Sequence, residues 1–386
     1  MSFLYPILAL ALLTLAPVPV LGIEPYQDFT QKGADFNGPG RELEPPDSLS
    51  AVRLGLTGPA EGRAGAQLRL GVELAVEEAN AAGGYRGLPY EIVFRADDGP
   101  WGVVAQQVIR LSQEDEVWAV IGSLDGERAH AAELVAAKLW VPVITPAAGD
   151  LTIDYANVPW VFRLMPDDRS QADLLLRAAR ERGWKRLALV SEGVRDARLA
   201  SERVREAAAD LEESLVLHVE YAPYAPAEAI PRLLRADVDA LLVWGRTAGA
   251  VELIAGLRRR GMDLPILAPA GLVLPEVAAL GDDMGALFGA APLDLEGDGE
   301  LLQHFLDRCR RKSGEEPSHV AAYAYEAARM VIAAIGQAGL NRARIRDEVA
   351  RMRFEGVSGQ ISFNSLGGYQ REPVLVELHA GKWVRR

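Results

Sequence analysis

Residues 117–150, VWAVIGSLDGERAHAAELVAAKLWVPVITPAAGD, constrain the fold more than any other stretch of this chain. Two apolar runs flank one alanine-rich helical segment, and a strand–helix–strand sequence of this kind brings the second strand back parallel to the first. In open parallel sheets, ligands sit beyond the carboxyl ends of the strands. Here those ends lead into the loops Gly122–Glu127 and Thr145–Asp150. Asp125, Gly126, Glu127, Ala148, Gly149 and Asp150 are therefore candidate ligand contacts.

The same alternation runs both ways along the chain. Upstream, Val52–Leu56 predicts a strand and Ala64–Ala82 an amphipathic helix closed by Gly83 and Gly84, because glycine suits the left-handed turn past a helix end. Tyr90–Phe94 then predicts a strand, Val103–Gln113 a helix and Val161–Leu164 a short strand. The rhythm restarts with helices at Asp173–Arg182, Leu199–Leu211, Ile230–Leu234 and Val251–Arg260. These alternate with strands at Arg186–Val190, Leu215–Val219, Ala240–Trp244 and Ile266–Ala268. Two successive runs of alternating elements imply two α/β lobes with parallel sheets. Beyond residue 290 the rhythm breaks. Helical patterns at Glu300–Lys312, Val320–Ala338 and Asn341–Met352 precede alternating segments Gly359–Asn364 and Pro373–Leu378, which Gly367-Gly368 would join as a hairpin.

At 386 residues the chain can fill two full cores. Its formal net charge of −13 argues against a nucleic-acid partner, since phosphates call for a basic face. Residues 1–22 carry no charged side chain, and their apolar run suits the core of a signal peptide better than a membrane span. Export is expected, to the periplasm or beyond the cell, with cleavage near Gly22; the alternative is an uncleaved anchor. Residues 23–50, rich in Pro, Gly and acidic side chains, predict an extended leader. Cys309 is the only cysteine, so no internal disulfide can form.

An enzyme should show a constellation of reactive side chains, and none stands out. His130, His218, His304, His319 and His379 are scattered with no pair at metal-ligand spacing. There is no phosphate-binding Walker loop, no Gly-x-Ser-x-Gly elbow and no dinucleotide fingerprint after a strand. No cofactor and no metal are expected. Asp167-Asp168 is first of all a helix-end feature.

Six segments carry a resemblance. They are Val52–Pro59, Glu77–Gly84, Arg95–Asp98, Ala119–Gly122, Val141–Ala147 and Gly356–Phe363. In order and register they resemble the type I periplasmic binding proteins, in particular the leucine/isoleucine/valine-binding group of ABC-transporter receptors. The resemblance covers Ala51–Arg386. It implies two Rossmann-like lobes joined by a three-segment hinge, the first holding 51–163 and 289–356, the second 164–288 and 357–386. It also implies closure of the lobes on a small polar molecule, and a membrane permease that reads the closed form.

In that family a Ser and a Thr hydroxyl hold the ligand carboxylate and an acidic residue holds the ammonium. Those positions fall on Gly126, Gly149 and Ala270, and the usual aromatic falls near Asp196. Backbone N–H groups at Gly126 and Gly149 can still meet a carboxylate, but an ammonium facing Ala270 loses a charged hydrogen bond of about 1.5–3 kcal/mol. An amino acid held in the family's way is not expected.

The remaining candidates come from the other strand ends. Trp101 either stacks on a ligand or packs locally. Asp125 either caps the following helix or touches ligand. Glu192, Arg195 and Asp196 follow one strand of the second lobe, and Trp244, Arg246 and Thr247 follow another. Arg246 is the best single candidate for an anion, since its guanidinium offers two parallel donors. Its structural alternative is an inter-lobe salt bridge to Asp125 or Asp150. Besides a transport receptor, the same lobes suit a sensor serving a signalling partner, or a pair that has lost its ligand.

Overall fold

The computed structural model describes residues 36, 38, 40–46 and 48–386, with the side chain of Asp282 excluded. The signal peptide expected at residues 1–22 lies outside the described residues. Among the described residues the strands form two large sheets and one short ribbon. The first sheet contains β1 (Val52–Gly58), β2 (Tyr90–Ala96), β3 (Val120–Gly122), β4 (Val143–Thr145) and β5 (Val161–Arg163), in the order β2-β1-β3-β4-β5. All its pairings are parallel, with Gly55 opposite Val120 and Val120 opposite Val143. Helices α1 (Gly62–Ala81), α2 (Gly102–Gln113), α3 (Gly126–Leu139) and α4 (Thr152–Ala156) connect these strands.

Helix α5 (Asp168–Glu181) leads into the second sheet. Its strands are β6 (Arg186–Glu192), β7 (Ser214–Tyr221), β8 (Ala240–Trp244), β9 (Ile266–Ala268) and β10 (Leu287–Ala291), joined through α6 (Arg195–Asp210), α7 (Ile230–Leu233), α8 (Thr247–Arg258) and α9 (Pro275–Ala278). Helices α10 (Glu300–Ser313), α11 (His319–Ala338) and α12 (Arg342–Arg351) return the chain to the first core, where Leu302, Phe305 and Cys309 pack with α1. The ribbon of β11 (Phe354–Gly356) and β12 (Gly359–Ile361) follows. The chain ends with β13 (Val374–His379) and β14 (Lys382–Arg385) on the edge of the second sheet, whose order is β14-β13-β10-β9-β8-β6-β7.

Two expectations need correction. The pair Gly359–Asn364 and Pro373–Leu378 does not form a hairpin. β12 pairs with β11, and β13 pairs antiparallel with β10 and β14. The turn at Gly367-Gly368 does form, with the Asn364 carboxamide accepting from the Leu366 and Gly368 N–H groups at 2.9 and 2.8 Å. It carries the bridge Phe363–Tyr369 and a parallel bridge from Gly368 to Arg163 of β5 before the chain leaves for the other sheet. The lobe boundaries shift for the same reason. Residues 289–291, expected with the first lobe, belong to β10 in the second sheet. Val357, Ile361, Phe363 and Tyr369, expected with the second lobe, are buried in the first core. The leader is not wholly free either: the Phe36 N–H donates to Asp347 at 2.9 Å, and the Asn341 carboxamide donates to the Gly40 and Leu43 carbonyls at 2.9 Å each.

Helices α1 and α11 pack closely against each other, and small residues allow it. α11 is rich in buried alanines, including Ala321, Ala324, Ala327 and Ala328. Gly71 of α1 faces its backbone. A methyl group there would fall 2.2 Å from the Ala321 carbonyl oxygen and 2.8 Å from the Tyr325 nitrogen. Because neither partner is a movable side-chain end, the helices would have to separate. Gly71→Ala is expected to destabilise the protein by about 1–3 kcal/mol, read as a lower urea midpoint at unchanged slope.

Candidate functional site

The carboxyl ends of both sheets face each other across a cleft with a cavity of about 300 Å³. On the first-lobe side, β3 ends at Gly122, whose φ of +144° and whose neighbour, the Thr57 carbonyl 2.2 Å from any added Cβ, together demand glycine. The Thr145 hydroxyl donates to the Ser123 carbonyl at 2.8 Å and ties the two strand-end loops together. Asp125 caps α3 by accepting from the Arg128 N–H at 2.8 Å, and it also accepts from the Arg128 guanidinium at 2.6 Å. Capping, one of its two expected roles, is thus its local work, although it still borders the cavity.

The central feature is a set of bonds that crosses the cleft. Arg195 and Asp196 open α6 on the second-lobe side. The Asp196 carboxylate accepts from the Gly126 N–H at 2.8 Å and from the Glu127 N–H at 3.4 Å, both at the amino end of α3. That end carries unpaired N–H groups and the positive pole of the helix dipole, which suit an anion. Arg195 donates to Asp150 at 2.8 Å and to Asp196 at 2.7 Å. Asp150 is buried, and its other oxygen accepts from the Thr152 N–H and hydroxyl at 2.8 and 2.7 Å. A second ion pair joins the rims, with Arg63 of α1 at 3.3 Å from Glu276 of α9.

This arrangement explains both glycines. A Cβ on Gly126 would lie 2.5 Å from the Asp150 Cβ and 2.6 Å from its Oδ2. A Cβ on Gly149 would sit 3.0 Å from an Asp168 oxygen and 3.2 Å from the Gln171 amide nitrogen. Asp150 leaves no room for a side chain at Gly126, and at Gly149 even a methyl group would press on the Asp168 and Gln171 side chains. At Ala270, buried in the second lobe, the backbone N–H donates to the Gln171 carboxamide at 2.8 Å.

Arg246 meets neither expected partner. It binds Glu192 of its own lobe, with Nε at 3.0 Å from one carboxylate oxygen and the backbone N–H at 2.9 Å from the other, and it lies over the Tyr224 ring at 4.1 Å. Burial alone would raise Glu192, but the Arg246 bonds outweigh it and hold the carboxyl below its ordinary value. The inter-lobe bridge expected of Arg246 is made instead by Arg195. Arg246 and Thr247 border the cavity, as do Gly126, Gly149, Asp150 and Asp196, so the structure brings these candidates together. It leaves others out. Trp101 stands at the start of α2, 53 % exposed and away from the cavity. Glu127 points to solvent, and Ala148 is buried in the first-lobe core beneath the loop.

The sequence reading missed Asp168 as a site residue, along with Gln67, Gln171, Ser318 and His319, which also border the cavity. Asp168 is the first residue of α5, and its N–H donates to the Gly149 carbonyl at 2.8 Å. Dense packing around it, with Asp150, Asp196 and Asp167 close by, pushes its carboxyl well above the ordinary value against a hydrogen bond from the Trp244 indole and the charge of Arg163. His319 is 4 % exposed, and burial lowers it to about 4 against a hydrogen bond with the Val273 backbone, so its ring is neutral.

The fold and the shared cleft define a protein of the two-lobed α/β solute-receptor class. Residues 51–373 match the family model of the periplasmic binding proteins, and the chain belongs to that family. It is similar to the Leu/Ile/Val-binding protein homolog 1 of Brucella abortus (strain 2308), with 25 % identity over 353 residues covering 88 % of this chain and 91 % of that relative. Its fold is similar to that of the branched-chain amino acid transporter substrate-binding protein LivJ of Streptococcus pneumoniae in complex with isoleucine. There the TM-score is 0.77 and the identity 24 %, over 87 % of this chain and all of that one. A solute-binding protein of an ABC transporter from Rhodopseudomonas palustris BisB5 in complex with 3,4-dihydroxybenzoic acid also matches. Its TM-score is 0.78 at 17 % identity, covering 88 % of this chain and 97 % of that one.

The charge network gives the cleft a pH signature. Hydrogen bonds to Asp150 and Glu133 raise His130 from 6.5 to about 9. A raised histidine contributes stability that is complete below its unfolded value and lost as pH climbs through its folded value. Asp150 is shifted the opposite way. Burial would raise it, but bonds from His130, Thr152 and Arg195 hold it well below the ordinary carboxylate range, so its contribution fades only in acid. Thermal stability is expected to fall between about pH 6.5 and pH 9, and His130→Gln should flatten that decline in a melting series.

Proposed function

We propose that this chain is an exported receptor of an ABC-type importer that captures a small polar solute between its lobes and presents it to a membrane permease. The family and the named relatives support the receptor role. The observation that carries the reading is the cavity of about 300 Å³ bordered by strand-end loops of both sheets. A solute there touches both lobes only when they are closed, so binding shifts the population toward closure. A permease that recognises the closed outline then discriminates loaded from empty receptor. The apolar amino terminus of the sequence supports export.

A second reading has its own observation. The bonds from Arg195 to Asp150 and from Asp196 to Gly126 close the cleft with the protein's own charges. A lobe pair closed in this way need not bind anything. The two readings separate by native mass spectrometry and thermal melting of the full chain. A receptor is expected to carry a co-purified solute, or to gain about 2.7 kcal/mol of stability from a metabolite at a hundred times its Kd. A chain that carries no small molecule and is stabilised by none in a broad metabolite screen is the second case.

A further inference from the structure

The anion position of the cleft is already filled. The amino end of α3 has its Gly126 and Glu127 N–H groups directed at the Asp196 carboxylate from the opposite lobe. A ligand carboxylate would have to displace Asp196, which Arg195 also holds at 2.7 Å, and then share the cleft with it. The neighbouring glycine offers no alternative, because the Asp168 carboxylate lies against Gly149. An arriving anion would meet Asp196, Asp150 and Asp168 together.

The other charges around the cavity are spoken for, with one exception. Arg195 serves Asp150 and Asp196, Arg246 serves Glu192, Arg63 serves Glu276 and Arg128 serves Asp125. Asp168 has no ion-pair partner among the described residues: the buried Arg163 guanidinium acts on it only from beyond ion-pair distance and is bonded to Asp154, while Asp150, Asp196 and Asp167 crowd it. It borders the cavity and keeps part of its surface open to it. A carboxylate in that position either keeps its proton or waits for a positive group. The same cavity is bordered by a second incomplete group. His319 is buried and uncharged, and its Nδ1 has no hydrogen-bond partner. A neutral imidazole can serve an N–H or O–H group of a ligand without adding charge.

We propose that the solute is a small organic cation without a carboxylate, an amine or a related nitrogen base, with Asp168 as its counter-ion and Asp196 as the built-in anion that excludes amino acids. The proposal rests on the receptor reading above and names the chemistry of that same cleft. Asp196 and Asp168 divide the work. Asp196 satisfies the helix terminus that a carboxylate would otherwise use, and Asp168 supplies the one cleft carboxyl without an ion-pair partner, which gives up its proton when a cation arrives. Placing a cation beside Asp168 replaces repulsion among carboxylates with attraction, in a setting where solvent screens little.

Leucine and 3-methylbutylamine differ only in the carboxylate, which makes them the sharpest probe pair. Calorimetric titrations of the full chain would compare them, alongside putrescine, agmatine and benzoate. At least one amine is expected to bind, with 3-methylbutylamine no weaker than leucine. Asp168→Asn should weaken the bound amine at least ten-fold while retaining the wild-type melting temperature or exceeding it, since it removes a repelled charge. Asp196→Asn should improve leucine relative to 3-methylbutylamine by freeing the α3 terminus. Tighter binding of leucine or benzoate than of every amine, or equal amine affinity in Asp168→Asn, would overturn the proposal. A neutral or anionic solute found on the purified chain by native mass spectrometry would also overturn it and leave the receptor reading standing. Absence of any bound or stabilising solute would remove both.

Discussion

The structure turns on one contact across the cleft, the Asp196 carboxylate resting on the amino end of α3. A helix start presents N–H groups with no partner inside the helix, and burying them unmet costs free energy. In a two-lobed receptor such a terminus is a natural seat for a ligand anion. Here a side chain from the opposite lobe takes that seat. Much else around the cleft accommodates it. Gly126 must lack a side chain so that Asp150 can approach, Asp150 must approach to receive Arg195, and Arg195 must bridge Asp150 and Asp196 to keep two carboxylates close together.

The energetics of this arrangement are uneven. An ion pair with one partner half exposed, as Arg195 is, contributes little by itself in water. The consequence lies in the other partner. Asp150 is buried, so removing Arg195 leaves a carboxylate short of charge compensation, and Thr152 and His130 meet only part of the deficit. The latch is therefore coupled. Loss of any one member raises the cost of keeping the rest in place, and opening the lobes returns several charges to solvent at once. This is compatible with a receptor that opens and closes, because the closed form is held by polar contacts that water can replace.

The broad architecture was legible from the sequence for a physical reason. Strands buried on both faces are continuous apolar runs, and the helices between them keep a regular apolar stripe, so the alternation of Val52–Arg260 reads directly. The errors cluster where that logic does not apply. α5, α6 and α8 begin four or five residues before their apolar periodicity, because the first turns of α5 and α6 are polar and that of α8, Thr247–Ala250, is made of small residues with no large apolar side chain. Asp168, Asp196 and Thr247 sit on those unread turns. β10 carries Gly289 within its run, and β14 is short and charged, so neither announced itself. At the site, the glycines at 126 and 149 were legible as missing hydroxyls. Their setting was not, because Asp150 and Asp168, the acidic residues packed against them, come from segments remote in sequence. Arg246 was chosen for its chemistry alone, and only the fold shows it committed to Glu192.

The most direct test of this account is amide hydrogen exchange at Gly126 and Glu127. If Asp196 occupies the end of α3, both amides are protected in the ligand-free chain. They should exchange markedly faster in Asp196→Ala, while amides in β3 and in the later turns of α3 remain unchanged. Rapid exchange at Gly126 in the unmodified protein, or protection that survives the loss of Asp196, would contradict it.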